Sequence, residues 1–338
     1  MDLNTLWFIL LTVLFCGFFF LEGFDYGVGI LLPFVARSDG ERRAVINTIG
    51  PVWDGNEVWM ITAGGAMFAA FPHMYATLFS GFYLALIFML MGLIIRGVAF
   101  EFRGKREGQA WRSHWDRALF IGSLVPALLW GVTVANMMRG FAIEADMYYY
   151  GGMLPLLNPY SLLGGLVFLG LFTLHGASFL GLKLEGELKQ NAKDLAGKIW
   201  IPIVILAVAF LVWTYLETDI LNNPGYDGLI PAILAAVSLL AYGWFLRKGK
   251  EGLTFICGGL AILLATIMVF SGLFPRILIS TIDPTYSLNI YNASSSQYTL
   301  RVMTIVVAIF MPIILLYQGW AIWIFRKRLS PESSDLHY

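Results

Sequence analysis

Nine long apolar stretches alternate with short polar connections along the chain, over residues 5–34, 45–71, 76–100, 117–137, 160–183, 199–217, 227–246, 252–274 and 303–325. Each is long enough to cross roughly 30 Å of bilayer hydrocarbon as a helix. Pro72, Pro159 and Pro275 lie at or beside stretch ends, where the ring is tolerated. The pattern predicts an all-α, polytopic integral membrane protein. A single membrane domain over 1–338 divides into spans 1–4 (1–137), spans 5–8 (160–274), span 9 (303–325) and a polar tail (326–338). The two longest connections, 139–159 and 275–302, are rich in Tyr, Asn, Ser and Pro and read as structured caps rather than domains. No fixed-period repeat is visible.

Composition agrees. Apolar types make up 58% and charged types 13%, against roughly 25% charged in soluble domains. Net charge is zero, which gives nucleic acid no electrostatic footprint. Met1 to Thr5 lack the basic region of a signal peptide, so the first stretch is expected to be a retained span. Lys and Arg set the orientation. Alternate connections carry Arg37, Arg42 and Arg43; Arg103, Lys105, Arg106, Arg112 and Arg117; Lys183, Lys189, Lys193 and Lys198; Arg247, Lys248 and Lys250; and Arg326, Lys327 and Arg328. The opposite side holds Arg139, Arg276 and Arg301. The basic side is expected to be cytoplasmic, which puts the N-terminus outside and the C-terminus inside, in keeping with an odd number of spans.

Candidate chemistry concentrates in the first third. Span 1 carries Glu22 and Asp25, and span 2 carries Asp54 and Glu57, each pair three residues apart and so on one helix face. Asp25 lies 12 residues from Arg37, roughly 18 Å along a helix. Asp54 lies 11 residues from Arg43, roughly 16 Å in if helix 2 runs through Pro51. If Pro51 opens the helix instead, Asp54 sits in its first turn and is shallow. An acid in hydrocarbon must take up a proton or find a partner. Acids at matched depth suit a proton path, or they pin helix 1 to helix 2 by hydrogen bonds. Arg96, near the basic end of span 3, either pairs with one of these acids or snorkels to the interface. Trp59 either lines a cavity or packs.

Elsewhere the side chains suggest packing. His175 is the one histidine well inside a span, and haem or metal ligation there needs a second ligand or a facing cavity. His73 and His114 sit at loop edges and His337 in the tail, without metal-ligand spacing. Cys16 and Cys257 lie in apolar runs and read as small hydrophobes. Gly64 and Gly65, with Ala63, Ala66, Ala69 and Ala70, give span 2 a small-residue surface for helix or subunit contact.

Several segments carry a resemblance. GFDYGVG at 23–29, ERRAVINTIGPVWDGNEVWMITAGGAMFAAFP at 41–72, SGFYLALI at 80–87, LLNPYSLLGG at 156–165 and YNASSSQYTLRVMTIVVAIFMPIILLY at 291–317 resemble subunit II of the cytochrome bd-type quinol oxidases. The likeness spreads over nearly the whole chain and is least distinctive in spans 6 and 7. It implies a bacterial plasma-membrane complex that oxidises quinol and reduces dioxygen to water, drawing protons from the cytoplasm and building a proton motive force without pumping. It implies haem b and haem d groups held by the larger subunit I, with no redox centre in this chain. The fold implied is two four-helix bundles plus one peripheral helix, packed against subunit I, with a small single-helix accessory subunit as a further partner.

Residue by residue, Asp25 and Asp54 match the family's acids implicated in proton delivery, and Glu22 matches an acidic position. Trp59 and Arg96 match positions near a dioxygen route. Glu57 falls where the family is not reliably acidic, and Tyr26 stands where an aliphatic residue is usual. A proton-coupled transporter is the alternative, since intramembrane carboxylates serve there too. Such a protein should show inverted repeats, whereas the acids here fall in one half. A scaffold without a proton role is a third reading.

Overall fold

The computed structural model describes residues 2–223, 228–333 and 336. Residue 227, at the expected start of span 7, and His337 with part of the tail lie outside them. Among the described residues the chain forms α1 (Leu3–Val35), α2 (Asp39–Ile49), α3 (Trp53–Ala70), α4 (Pro72–Gly81), α5 (Tyr83–Phe102), α6 (Gln109–Arg139), α7 (Pro159–Lys183), α8 (Gly186–Glu217), α9 (Leu229–Arg247), α10 (Glu251–Leu273) and α11 (Gln297–Ile324). Eight of these, α1 and α5 to α11, are long and apolar enough to cross a membrane.

The expected second stretch, 45–71, is not one helix. Ser38 and Glu41 form a capping box that starts α2 on the polar side, eleven residues before the chain breaks at Gly50-Pro51-Val52. Pro51 has no N–H to donate, and its ring clashes with the preceding turn, so the ladder stops there. The third stretch is broken too. Pro72 occupies the first turn of α4, and Phe82 separates α4 from α5.

Other helices run longer than expected. The connection 183–198 is mostly the first third of α8, because Leu188, Ala192 and Ala196 recur every fourth residue and are buried. Likewise α6 begins at Gln109 and α11 at Gln297, the latter capped by Ser296.

Hydrogen bonds show which helix ends share a face. On one face, Asn4 donates to the Ile290 carbonyl at 2.7 Å, the Ser295 amide donates to Ala70, and the Phe141 amide donates to Ile279. That groups the start of α1 and the ends of α3 and α6 with the 275–296 segment. There β1 (Arg276–Leu278) pairs antiparallel with β2 (Leu288–Asn289), and Ser280 donates to the Ile143 carbonyl, so both long connections form one structured cap. On the other face, Asn191 donates to the Val35 carbonyl, Arg328 pairs with Glu251, and the tail strand at Leu329 bonds Lys183 and Glu185. A network there joins α2, the end of α5 and the start of α6: Arg42 and Arg103 both reach Asp116, and Arg103 and Arg112 both reach Asp39, at 2.6–2.8 Å.

The core is organised around α1, whose residues 21–32 are all buried and which packs on α3, α6, α7 and α10. Phe15, Phe18 and Phe19 surround Trp130 of α6 in edge-to-face contacts at 5.1–6.1 Å. Helices α7, α8, α9 and α10 pack in series, and α11 is almost wholly exposed.

The contact of α1 with α7 is the tightest point. A Cβ on Gly27 would lie 2.0 Å from the Phe172 carbonyl oxygen and 2.9 Å from the Gly176 Cα. Gly27→Ala is therefore expected to lower stability by about 1–3 kcal/mol, as overpacking does. A fall in the melting temperature of the detergent-solubilised protein checks this. Gly197→Ala, with nothing within 4 Å of its Cβ, serves as the unaffected control.

Candidate functional site

Three helices bring charged side chains together inside the protein. α1 contributes Glu22, Asp25 and Tyr26, the first turns of α3 contribute Trp53, Asn56 and Glu57, and α5 contributes Arg96 and Phe100. Arg96 is fully buried and its Nη1 donates to Glu22 Oε1 at 2.5 Å. The same nitrogen lies 3.6 Å from Glu57 Oε2. So Arg96 pairs inward rather than reaching for the interface. Aromatic faces enclose it: the guanidinium carbon is 5.1 Å from the Tyr26 ring centroid, 5.6 Å from Phe100 and 6.0 Å from Trp53. Trp53 in turn stacks on Phe100 at 4.9 Å. A guanidinium is weakly hydrated and tolerates such surroundings better than an ammonium does.

Asp25 is also fully buried. Its Oδ2 accepts from Asn56 Nδ2 at 2.7 Å, and Asn56 Oδ1 accepts from Gln318 Nε2 of α11 at 2.9 Å. Buried Glu22 Oε2, Asp25 Oδ1, Arg96 Nε and Arg96 Nη2 have no hydrogen-bond partner among the described residues. One arginine thus faces three carboxyl groups, and the cluster's net charge depends on how many protons it holds.

The geometry of helix 2 corrects both alternatives read from the sequence. The helix is broken, yet the break is deep. Asp25 lies ten residues from the end of α1, about 15 Å along the axis, and Asn56 in the opening turns of α3 touches it. So α3 starts at membrane depth, with the positive end of its dipole beside the acids. Asp54 occupies its first turn but is exposed on the chain's surface, turned away from Asp25. Asp25 is reached by Asn56, not by Asp54. A neutral amide carries no conspicuous cost in an apolar sequence, so Asn56 and Gln318 went unnoticed. The available signal is Gln318 inside an otherwise apolar run and Asn56 between the acids Asp54 and Glu57.

Trp59 is buried, its ring lying flat where a Cβ on Gly17 would be. It packs α3 on α1. One residue further along α3, at Met60, an apolar cleft of about 600 Å³ opens between α3, α4 and α5, with Phe15, Phe19 and Trp130 on its inner wall. Gly64 and Gly65 border it with nothing within 4 Å of their Cβ positions. His175 is a core residue: Nε2 lies 3.2 Å from the Phe20 carbonyl and its ring stacks on Phe255 at 4.7 Å.

Fold and site together define a polytopic helical membrane protein with an ion-paired carboxylate cluster at the break of a discontinuous helix. The sequence profile of cytochrome bd terminal oxidase subunit II matches residues 3–325. The chain is 42% identical to cytochrome bd ubiquinol oxidase subunit 2 of Bacillus subtilis over 97% of both chains. It is 37% identical to cytochrome bd-I ubiquinol oxidase subunit 2 of Escherichia coli K12, over 98% of this chain and 97% of that one. Its fold is similar to a chain of the bd oxidase from Geobacillus thermodenitrificans, with a TM-score of 0.76 at 17% identity, covering 96% and 98% of the two chains. This chain belongs to the cytochrome bd terminal oxidase subunit II family. That membership sets the transporter alternative aside.

Removing one member of a buried ion pair strands the other charge, at a cost of about 3–5 kcal/mol. Arg96→Leu is expected to reduce the yield of folded protein sharply, whereas Arg96→Leu combined with Glu22→Leu recovers much of it. Melting temperatures of the single and double variants in detergent measure the coupling.

Proposed function

We propose that this chain is the non-haem subunit of a bd-type quinol oxidase in the bacterial plasma membrane, and that the α1–α3–α5 cluster passes protons toward oxygen reduction. The overall reaction takes two electrons and two protons from each quinol, and two quinols reduce one dioxygen to two waters. Haems b and d belong to subunit I. The donor set here does not suit haem, because His175 is packed among Phe20, Phe24 and Phe255 and engaged with a backbone carbonyl.

The observation that carries the proton role is the cluster itself: Glu22, Asp25 and Glu57 around the single cation Arg96, beneath a helix break. Groups of this kind hold and release protons at membrane depth and are costly to maintain without use. Glu22 and Asp25 supply buried proton-holding oxygens, and Glu57 is half-buried between them and the surface. Asp54 is the acid through which protons enter the cluster from outside the chain. Dioxygen is apolar, and the cleft that Met60 and Leu93 line offers it a path from the bilayer, with Trp59 one residue from Met60 and Arg96 three from Leu93.

Nine crossings are favoured, with α2 and α3 counted as one and α4 and α5 as another. Counted so, successive helix ends alternate between the two faces that the hydrogen bonds define. The basic face is then cytoplasmic, the N-terminus outside and the C-terminus inside. The single membrane domain is read as one four-helix bundle from spans 1–4, a second from α7 to α10, and peripheral α11 as span 9. Exposed Asp54, at the height of Asp25, is too costly to face lipid. The α3 face that carries it, with open Gly64 and Gly65, is the surface for subunit I. The exposed outer helices leave room for lipid and a single-helix accessory subunit, and quinol is oxidised on the partner.

Two experiments test this reading. Affinity-purified chain is expected to bring down a haem-bearing partner with b- and d-type bands in a reduced-minus-oxidised spectrum; a haem-free preparation from intact membranes would sink it. Asp54→Asn and Asp25→Asn are each expected to slow quinol-driven oxygen consumption about a hundredfold, the low end for loss of a proton-transfer group, while assembly and haem content stay normal. Unchanged turnover, or lost haem, argues for a structural role instead.

A further inference from the structure

Polar contacts hold α11 to the rest of the chain near both ends, the first being Gln297 Nε2 donating to Asn4 Oδ1 at 2.6 Å. Near its start, Trp7 Nε1 of α1 donates to the Leu300 carbonyl and to Thr304 Oγ1, both at 3.1 Å. Near its end, Gln318 donates to Asn56 Oδ1 at 2.9 Å. Between Thr304 and Ile324 the helix carries no charged residue, and most of its surface is exposed. Gln318 is thus an amide set in an apolar helix and aimed at the first turns of α3, where its Oε1 lies 3.8 Å from the Cβ position of Gly55.

An amide side chain has two unlike ends. Its oxygen only accepts and its nitrogen only donates. Because Asn56 Oδ1 accepts from Gln318, Asn56 Nδ2 is left to donate to Asp25 Oδ2, at 2.7 Å. A carboxylate oxygen receives that bond. A protonated hydroxyl at the same oxygen would need an acceptor, which Asn56 offers only after its amide turns over. Turning it over sets one NH2 group against another unless Gln318 turns over with it, so the two amides change ends as a pair. From this geometry we infer that Gln318 is a positioning residue for Asp25: through Asn56 it fixes which end of an amide the acid meets, and so couples α11 to the gain and loss of a proton at Asp25.

The inference rests on the proton role given to Asp25 above. The other titratable or charged groups around that acid are Glu22 and Tyr26 on α1, Glu57 on α3 and Arg96 on α5. Among the described residues α11 presents no ionisable group to Asn56, so it acts there through the neutral Gln318 donor.

The test uses the assembled oxidase in membranes with four variants, reading quinol-driven oxygen consumption against pH together with haem content. Gln318→Leu removes the donor and is expected to lower turnover about threefold at unchanged haem content, the loss that follows from one interhelical hydrogen bond. Gln318→Glu keeps the shape but donates only when protonated. It is expected to run near the parent rate at acid pH and to fall toward the Gln318→Leu rate as pH rises, a dependence that a purely packing role would not produce. Gln318→Leu added to Asp25→Asn is expected to slow turnover no further than Asp25→Asn alone. If Asp25→Asn slows turnover while both Gln318 variants keep the parent rate and profile, the inference fails and the reading of Asp25 stands. If Asp25→Asn is itself without effect, that reading fails and the inference with it. Loss of haem in both Gln318 variants, or equal loss of rate at every pH, makes Gln318 a packing residue and overturns the proposal.

Discussion

Arg96 must be neutralised where it stands. It is fully buried, so its charge is tolerable only with carboxylates and aromatic faces around it. Glu22 supplies the close contact, Glu57 the longer one, and Tyr26, Trp53 and Phe100 the enclosing rings. Meeting that demand fixes the relative placement of α1, α3 and α5, because each must present its polar face at one height. The break at Gly50-Pro51-Val52 follows the same logic. It brings the opening turns of α3, with unspent amides and a positive dipole end, to the depth of the acids.

The rest of the chain supports this placement. Along one face, the network of Arg42, Arg103 and Arg112 with Asp39 and Asp116 anchors α2 to the ends of α5 and α6, holding the lower half of the broken helix in position. On the opposite face, the cap built from the two long connections ties α1, α3 and α6 together. Between the two, α1 is buried by close approach to α7 at Gly27 and Gly176 and by a cluster of phenylalanines around Trp130. Membership of the cytochrome bd terminal oxidase subunit II family gives this architecture a setting.

The sequence by itself determined the solvent, the helical class and the family. These follow from the length of the apolar runs and the scarcity of charge, which lipid imposes residue by residue. It also singled out Glu22, Asp25, Glu57 and Arg96, which the fold brings together, because a charge in an apolar run is conspicuous. Tertiary structure alone decided the rest. From sequence, helix 2 is either continuous and deep or broken and shallow; in the fold it is broken and deep, since α2 climbs beside α1 before the chain breaks. A continuous helix 2 would set Asp25 and Asp54 at similar depth as acids of one kind, yet Asp54 is exposed and Asp25 buried. Asn56 and Gln318, 262 residues apart, meet only because α11 packs against the start of α3. Neutral amides leave little trace in hydropathy or charge; what gives them a role is which end of each faces which neighbour, and that is set by packing.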